Sequence, residues 1–267
     1  MTLHIKTGFI AIIVLSLTSC SLLTAAGISG QGQPTKEVDG ELSSTTVNSA
    51  VNVDHASWDK LLKKYVDDKG FVDYKGFKNE SQKLNDYLDQ LGKLEPNDDW
   101  SVQELLAYYI NLYNAATVKL ILDNYPTNSI KDINGAFTKA FVKIGDRELS
   151  LGGIENGVLR KMNEPRIHFA INCASFSCPK LLNEAFKADK INEQLEKVTS
   201  EFINGNKNNI SENNPKFSKI FDWYGSDFKI DGKKDIVGYV NQYSDIKINS
   251  TTEYSFMEYD WSLNEKP

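Results

Sequence analysis

The chain has 267 residues, of which 40% are hydrophobic and 25% are charged, and its formal net charge is −6 at pH 7. This acidic balance argues against a nucleic-acid-binding protein, because such a protein needs a basic surface to neutralise phosphates. The length allows one large domain or two small ones.

The first residues have the features of a bacterial targeting segment. Lys6 supplies a positive charge, and the apolar run over residues 9–17 is shorter than the roughly 20 residues of a permanent membrane helix. The run ends in Leu17-Thr18-Ser19-Cys20, which resembles the bacterial lipobox, in which the cysteine is lipidated and the preceding peptide is removed. We therefore predict a lipoprotein signal peptide over residues 1–19; an ordinary signal peptide with a chance cysteine is the alternative.

A lipid on Cys20 would attach the protein to a membrane through acyl chains and place it in the cell envelope. Outer-membrane sorting in enterobacteria disfavours aspartate directly after the lipidated cysteine, and Ser21 stands there, so the predicted location is the periplasmic face of the outer membrane. Surface exposure and retention at the inner membrane are the alternatives. Removal of residues 1–19 takes away one lysine and no acidic residue, which makes the net charge −7. Residues 20–55 are rich in small and polar residues and contain no aromatic residue, so we predict a flexible tether that cannot offset its ordering entropy.

Residues 56–267 are predicted to form a single globular domain, because no internal repeat and no second linker interrupts them. Ser57 is the predicted N-cap of a first helix, in which apolar residues recur from Trp58 onward at i, i+3, i+4, i+7 and i+8. Residues 71–74 predict a short strand. A second helix ends near Gly92.

The third predicted helix has the strongest signal. Ser101-Val102-Gln103-Glu104 is a capping box, and the helix continues to about Asn124, just before Pro126. Apolar residues surround much of its circumference, which is typical of a helix in the centre of a domain.

The remaining segments mix both kinds of secondary structure. Gly145-Asp146 predicts the turn of a hairpin, and the alternation over residues 166–172 predicts a strand with His168 on one face. The other predicted elements are helices over residues 151–161, 189–205 and 235–243 and strands over residues 246–248 and 254–261. Because helices and strands do not alternate regularly, the predicted class is α+β, with a central buried helix packed against a mixed or antiparallel sheet.

Several long phrases of the sequence resemble one known family. They are Ala107 to Ala115, Leu149-Ser150-Leu151 with Ile154-Glu155 and Leu159-Arg160, Arg166 to Pro179, Phe221 to Tyr224 with Asp227-Phe228, and Asp260 to Asn264. Together they resemble the family catalogued as domain of unknown function 547, over roughly residues 58–264. The resemblance implies a bacterial envelope protein and carries no agreed activity. Relatives often have histidine after the Ile-Glu pair, where this chain has Asn156.

The phrase from Arg166 to Pro179 concentrates the reactive side chains, His168, Cys173 and Cys178. With Cys20 lipidated, the two remaining cysteines form an even pair in an oxidising compartment, which favours a local disulfide. The alternative is a nucleophilic thiolate with His168 as its base and Asn111 as the amide that orients the ring. That alternative requires the chain to turn back after Asn172, and the longer return path favours Cys178 over Cys173.

Further residues are predicted to line the same cleft or to support it. Glu155, Arg166, Asn114 and Asn172 are candidates for binding a ligand, although the asparagines could instead brace the segment that carries His168. A metal site built from Cys173, Cys178, His168 and Glu155 is a weaker alternative, because the spacing matches no familiar zinc pattern. His168 could also be a core histidine with a hydrogen-bonding role alone.

No glycine-rich phosphate loop, serine-hydrolase elbow or two-histidine metal motif occurs in the sequence, so we expect no cofactor and no resident metal. The aromatic residues of the C-terminal part could form core or a platform for a sugar or peptide. The sequence thus favours a thiol-dependent hydrolase or transferase acting on peptide-like envelope material. The alternative is a non-catalytic binding or scaffold module with a structural disulfide, whose partner would be a peptide or protein.

Overall fold

The computed structural model describes residues 29–267, and short strands are scattered among its helices. The helices are α1 (Ala56–Tyr65), α2 (Tyr74–Lys78), α3 (Ser81–Gly92), α4 (Val102–Asp123), α5 (Leu151–Gly157), α6 (Ile167–Ala170), α7 (Ile191–Ile203), α8 (Lys219–Trp223) and α9 (Ile236–Tyr243). The strands are β1 (Val142–Ile144), β2 (Arg147–Leu149), β3 (Lys216–Phe217), β4 (Lys229–Ile230), β5 (Lys233–Lys234) and β6 (Ser255–Phe256). Single 3-10 turns occur at Ile130–Asp132, Leu159–Met162 and Ala188–Lys190.

The α+β class is confirmed, but the strands of residues 29–267 do not form a sheet beneath the central helix. They pair only in twos: β1 with β2 and β4 with β5 are antiparallel, and β3 with β6 is parallel. Each ladder joins two or three residues on each side, which is too little surface to cover a helix of 22 residues. Helices and irregular segments therefore build the core.

Helix α4 is the centre of the domain, as the sequence predicts. The Ser101 hydroxyl accepts a hydrogen bond from the Glu104 backbone N–H at 3.1 Å, which caps the first turn. Nearly every side chain of the helix is buried, and α2, α3, α5 and α7 pack against it. By length and composition α4 could cross a membrane, but its apolar stretch is 89% buried inside the domain, as in the core helix of a globular protein.

Residues 29–55 differ from the flexible tether predicted there. Val38, Leu42 and Val53 are buried in the core, and the Val53 N–H donates to the carboxylate of Glu104 at 2.8 Å. These apolar side chains have no helical or strand period, so their packing depends on grooves that the rest of the domain provides. Residues 1–28, with the predicted signal peptide and Cys20, lie outside the described residues.

The strand predicted over residues 166–172 is wrong, because Ile167–Ala170 forms the helical turn α6. Ile167 and Ile171 are four residues apart, and the Ile171 N–H donates to the Ile167 carbonyl at 3.0 Å. The alternation of apolar and polar residues is misleading here because His168 is as buried as its apolar neighbours. The chain then becomes extended at Ile171 and leads into the cysteine loop.

Other boundaries differ by a few residues. Helix α1 begins one residue before Ser57, and residues 246–248 form no strand. The strand predicted at residues 71–74 is reduced to Val72, which forms isolated bridges with Val66 and Glu265. The predicted hairpin around Gly145-Asp146 is present as β1 and β2, and Asp235 caps α9 through the Gly238 N–H at 2.8 Å.

Candidate functional site

A pocket of about 280 Å³ opens between α4, α5, α6, α8 and the C-terminal segment. Its lining is mostly aromatic and apolar, and it contains both cysteines of the domain. The lining residues are Tyr113, Phe137, Thr138, Gly152, Glu155, Asn156, His168, Ile171, Cys173, Cys178, Pro179, Ile220, Trp223, Tyr224, Tyr259 and Trp261. His168, Cys173, Cys178 and Glu155 thus share one cavity, as the sequence predicts.

The two sulfurs lie at the ends of a tight loop. Cys173 Sγ is 2.7 Å from Cys178 Sγ, and the Cys173 N–H donates to Cys178 Sγ at 2.9 Å. Both cysteines are free thiols, so the structure contains no disulfide between them. Ala174, with a φ of +56°, reverses the chain immediately after Cys173. The turn beyond Asn172 that a thiol site requires is therefore present.

Cys173 is the better candidate for a nucleophile, in place of the Cys178 favoured by the sequence. Hydrogen bonding from Cys178 lowers the pKa of the Cys173 thiol, and Ser175 and Tyr259 add to this effect while burial opposes it. The Cys173 sulfur is 3.2 Å from both the Ser175 and Tyr259 hydroxyls. Burial raises the pKa of the Cys178 thiol well above its usual value, and its residue is only 6% exposed. The thiolate therefore forms first on Cys173.

His168 lines the pocket and bonds to a second group, Asp227 and Arg160, which lies behind the lining residues. The His168 Nε2 is 2.9 Å from Asp227 Oδ2, and Arg160 donates to both oxygens of the same carboxylate at 2.7 and 2.8 Å. Burial alone would raise the pKa of Asp227, but the bonds from His168 and Arg160 lower it overall. The carboxylate is thus an acceptor, which assigns the proton on the His168 ring to Nε2.

The other ring nitrogen of His168 has no partner. Its Nδ1 is buried and makes no hydrogen bond to any group in residues 29–267, although the ring stacks on Tyr224 with centroids 4.1 Å apart. A buried acceptor without a hydrogen bond costs about 1–3 kcal/mol. Within the described residues, then, neither sulfur is hydrogen-bonded to the imidazole.

Asn111 does not orient His168, which corrects the predicted role. Its amide group brackets the backbone of Phe186, donating to the carbonyl at 2.7 Å and accepting from the N–H at 3.0 Å. Asp227 occupies the position beside the imidazole instead. Asp227-Phe228 is one of the motifs that resemble the family. Asp227 is 59 residues from His168 in the sequence, however, so no local signal predicted their contact.

Asn114 and Asn172 brace the loop and do not line the pocket. Asn114 donates to the Ala170 carbonyl at 3.0 Å and accepts from the Asn172 N–H at 2.8 Å. The Asn172 side chain donates to the Pro179 carbonyl at 2.7 Å and accepts from the Ala174 N–H at 2.9 Å. These contacts describe bracing, the alternative given for Asn114, and they correct the ligand-binding role predicted for Asn172.

Arg166 is held away from the pocket, contrary to its predicted ligand-binding role. Its guanidinium donates to both oxygens of Glu164 at 2.8 and 2.7 Å and to Asn192 at 2.8 Å. This ion pair is intramolecular and largely buried, so Arg166 has a structural partner for its charge.

Glu155 lies in the pocket wall and is only 6% exposed. The Tyr113 hydroxyl donates to its carboxylate at 3.3 Å. Asn156, the next residue, also lines the pocket and accepts from Arg160 at 2.9 Å. No group of three His, Cys, Asp or Glu side chains in residues 29–267 is placed to hold a metal ion.

The C-terminal aromatic residues divide between core and pocket. Phe217, Phe221, Phe228 and Tyr239 are buried core, as the simpler interpretation expected. A second set forms one wall of the pocket, with Trp223 about 5 Å from Tyr259 and 5.8 Å from Trp261, measured between ring centroids.

Comparison with known proteins adds one match. Residues 97–203 match the family described as a protein of unknown function, DUF547. The predicted family resemblance is confirmed. The DUF547 segment contains α4, His168 and both cysteines, whereas Asp227, Tyr259 and Trp261 lie beyond it. No curated protein and no solved structure matches the chain.

Proposed function

We propose that this protein is a thiol-dependent hydrolase or transferase of the cell envelope that acts on peptide-like material, with Cys173 as its nucleophile. The observation that supports it is the position of the Cys173 sulfur in the pocket wall, beside Tyr259, Ser175 and Cys178, all of which can donate to a thiolate. Burial raises the pKa of Tyr259, so its hydroxyl remains a donor at neutral pH.

In the proposed reaction the Cys173 thiolate attacks the acyl carbon of an amide or ester. The bond from that carbon to its nitrogen or oxygen breaks, and the leaving group takes up the proton that the thiol released. Water in a hydrolase, or an acceptor amine in a transferase, then cleaves the thioester and returns the proton to sulfur. We assign His168 as the base for this second attack, because Nδ1 is free and Asp227 holds the ring in that tautomer.

The proposed setting follows from the N-terminal sequence. Residues 1–19 would be removed as a signal peptide, and Cys20 would carry the lipid that holds the protein at the periplasmic face of the outer membrane. The partners in this proposal are the membrane and a peptide or protein ligand, and the acidic net charge argues against nucleic acid.

The second candidate is a binding or scaffold module in which Cys173 and Cys178 form a structural disulfide. The observation that favours it is the close approach of the two sulfurs, together with the lack of any hydrogen bond from the imidazole to them within residues 29–267. Such a bridge would fix the loop around Ala174 and prevent nucleophilic attack.

Trapping separates the two candidates. The wild-type protein, prepared from an oxidising compartment without reductant, is treated with a peptidyl activated ester, and the adduct is located by intact-mass and peptide mass spectrometry. The thiol enzyme predicts an acyl adduct on Cys173 that is absent from Cys173→Ser and retained by Cys178→Ser.

The same two serine variants also define the result that would contradict the proposed enzyme. Absence of free thiol in the wild type, combined with a lower melting temperature and no adduct for either variant, would exclude the thiol mechanism and leave the scaffold. Circular dichroism of each variant checks that the comparison is made between folded proteins.

A further inference from the structure

The pocket wall contains a buried carboxylate, whereas Arg160 and Lys131 lie over the lining rings of Tyr224 and Trp261 without being lining residues themselves. Among its 16 lining residues there is one carboxylate, Glu155, and no lysine or arginine. Within residues 29–267, Glu155 makes no ion pair, unlike the neighbouring Asp227, whose carboxylate is fully occupied by Arg160 and His168. The guanidinium of Arg160 donates two hydrogen bonds to Asp227 and makes none to Glu155.

A carboxylate that is buried without a cation is costly, and neutral donors offset only part of the cost. Tyr113 provides one such donor at 3.3 Å, which is long for an O–H···O bond, and the Tyr224 hydroxyl is a second. The charge of Glu155 also contributes, after burial, to raising the pKa of Tyr113 and of Tyr224. Arg160 interacts with Glu155 only through space, so no cation of residues 29–267 is in direct contact with this carboxylate.

The aromatic wall suits the same kind of ligand. The ring faces of tryptophan and tyrosine attract cations, and two rings of the pocket wall already use this: Lys131 lies over Trp261 at 5.4 Å and Arg160 lies over Tyr224 at 5.3 Å. The rings of Trp223, Tyr259 and Tyr113 have no cation of the chain over them within the described residues. Trp223 is 46% exposed, so one face of the wall remains open to a ligand.

We propose that this pocket recognises an organic cation, the ammonium or guanidinium group at the end of an aliphatic side chain in a peptide-like ligand. Glu155 holds the charge, and Trp223 and Tyr259 cover the cation and its methylene chain. The identification of the ligand as peptide-like rests on the proposed function, whereas the recognition of a positive charge stands on the pocket alone.

The test uses two probes that differ only in charge. Nα-acetyl-lysine N-methylamide carries the ammonium group, and Nα-acetyl-norleucine N-methylamide has the same chain without it. Titration calorimetry on the Cys173→Ser protein, which prevents turnover, is expected to give at least about tenfold tighter binding for the lysine probe. Glu155→Gln should remove at least about tenfold of that affinity and leave the norleucine probe unchanged.

Two further variants keep the result interpretable. Glu253→Gln removes an exposed carboxylate outside the pocket and should leave both affinities unchanged. Trp223→Leu, at a half-exposed position, should weaken binding of the lysine probe several-fold. This variant takes the place of Glu155→Gln if circular dichroism shows that Glu155→Gln is unfolded. Equal binding of the two probes, or no binding of either, would overturn the proposal.

The two proposals fail in different ways. Charge-selective binding without any acyl adduct on Cys173 would retain the cation pocket and reject the enzyme. Conversely, a Cys173 adduct formed equally well from lysine and norleucine esters would retain the enzyme and reject the cation pocket.

Discussion

Two buried polar regions lie close to the cysteine loop: the hydrogen bonds of Asn111 and Asn114 to the backbone, and the pocket. They differ in whether their polar atoms have hydrogen-bonding partners. Asn111 and Asn114 each pair one amide donor and one acceptor with backbone groups of a neighbouring segment. In the pocket, His168 Nδ1 has no partner in the described residues and Glu155 has no cation. Complete pairing is typical of a structural polar group, and the two incompletely paired side chains line the cavity in which we propose that a ligand binds.

The largest effect on stability is expected where an asparagine side chain bonds to the backbone. Asn114→Ala would leave the Ala170 carbonyl and the Asn172 N–H buried without partners, which predicts a loss of about 2–4 kcal/mol in the free energy of unfolding. Urea denaturation followed by circular dichroism measures it. The exposed Asn213→Ala is the control and should change stability by less than about 0.5 kcal/mol. If the two variants were equally stable, the hydrogen bonds of Asn114 would contribute nothing to stability, and the contrast with the pocket would be wrong.

A smaller loss is expected from Asp227→Asn, which weakens the bonds to Arg160 and His168. Bonds to a charged group contribute about 1.5–3 kcal/mol, so we expect a decrease in unfolding free energy within that range. Asp222→Asn breaks an exposed pair with Lys219 and should cost less than about 1 kcal/mol. A loss for Asp227→Asn no larger than for this control would argue that the Asp227 group contributes nothing to stability.

Asp227 also sets a dependence on pH. Its pKa is lowered in the folded protein, whereas in the unfolded chain it is near its ordinary value of about 4. The contribution is therefore fully present above about pH 4 and is lost as the pH falls towards the folded pKa. The stability difference between wild type and Asp227→Asn should shrink between pH 7 and pH 3 in matched urea titrations. A difference that stays constant over this interval would contradict the assignment.

The smallest effect concerns the sulfur. Tyr259→Phe removes one hydroxyl from Cys173, which should raise the pKa of that thiol and slow its alkylation by iodoacetamide a few-fold at neutral pH. The rate is measured by mass spectrometry of the labelled peptide in Cys178→Ser protein, where Cys173 is the single sulfur of the loop. Unchanged alkylation would mean that the hydrogen bond does not tune the thiol.

Local signals explain what the sequence could predict. The Ser101 cap, the Gly145-Asp146 hairpin and the helix that begins near Asp235 depend on neighbouring residues, and all three are found. The sequence also predicted that His168, Glu155 and the cysteines would share one cleft, and the turn after Asn172 that a thiol site requires is present at Ala174. The alternation over residues 166–172 wrongly predicted a strand, because polar residues such as His168 are buried together with the apolar ones, and no face of the segment is left to solvent.

Long-range contacts explain what it could not. Tyr259 lies 86 residues from Cys173 and Asp227 lies 59 residues from His168, so no periodicity or spacing connects them. Residues 29–55 also pack through long-range contacts. Their few apolar side chains follow no helical or strand period, so the sequence could not predict that they are buried in the domain.

The docking of residues 29–55 has a consequence for how far the domain could lie from a membrane. With the proposed lipid on Cys20, only the nine steps from Cys20 to Ser29 would separate the acyl chains from the first described residue, at most about 32 Å of backbone. Under that proposal the domain would stay next to the bilayer. Ligands within range of its pocket would be those lying next to the membrane, and soluble ones only where they diffuse into that layer.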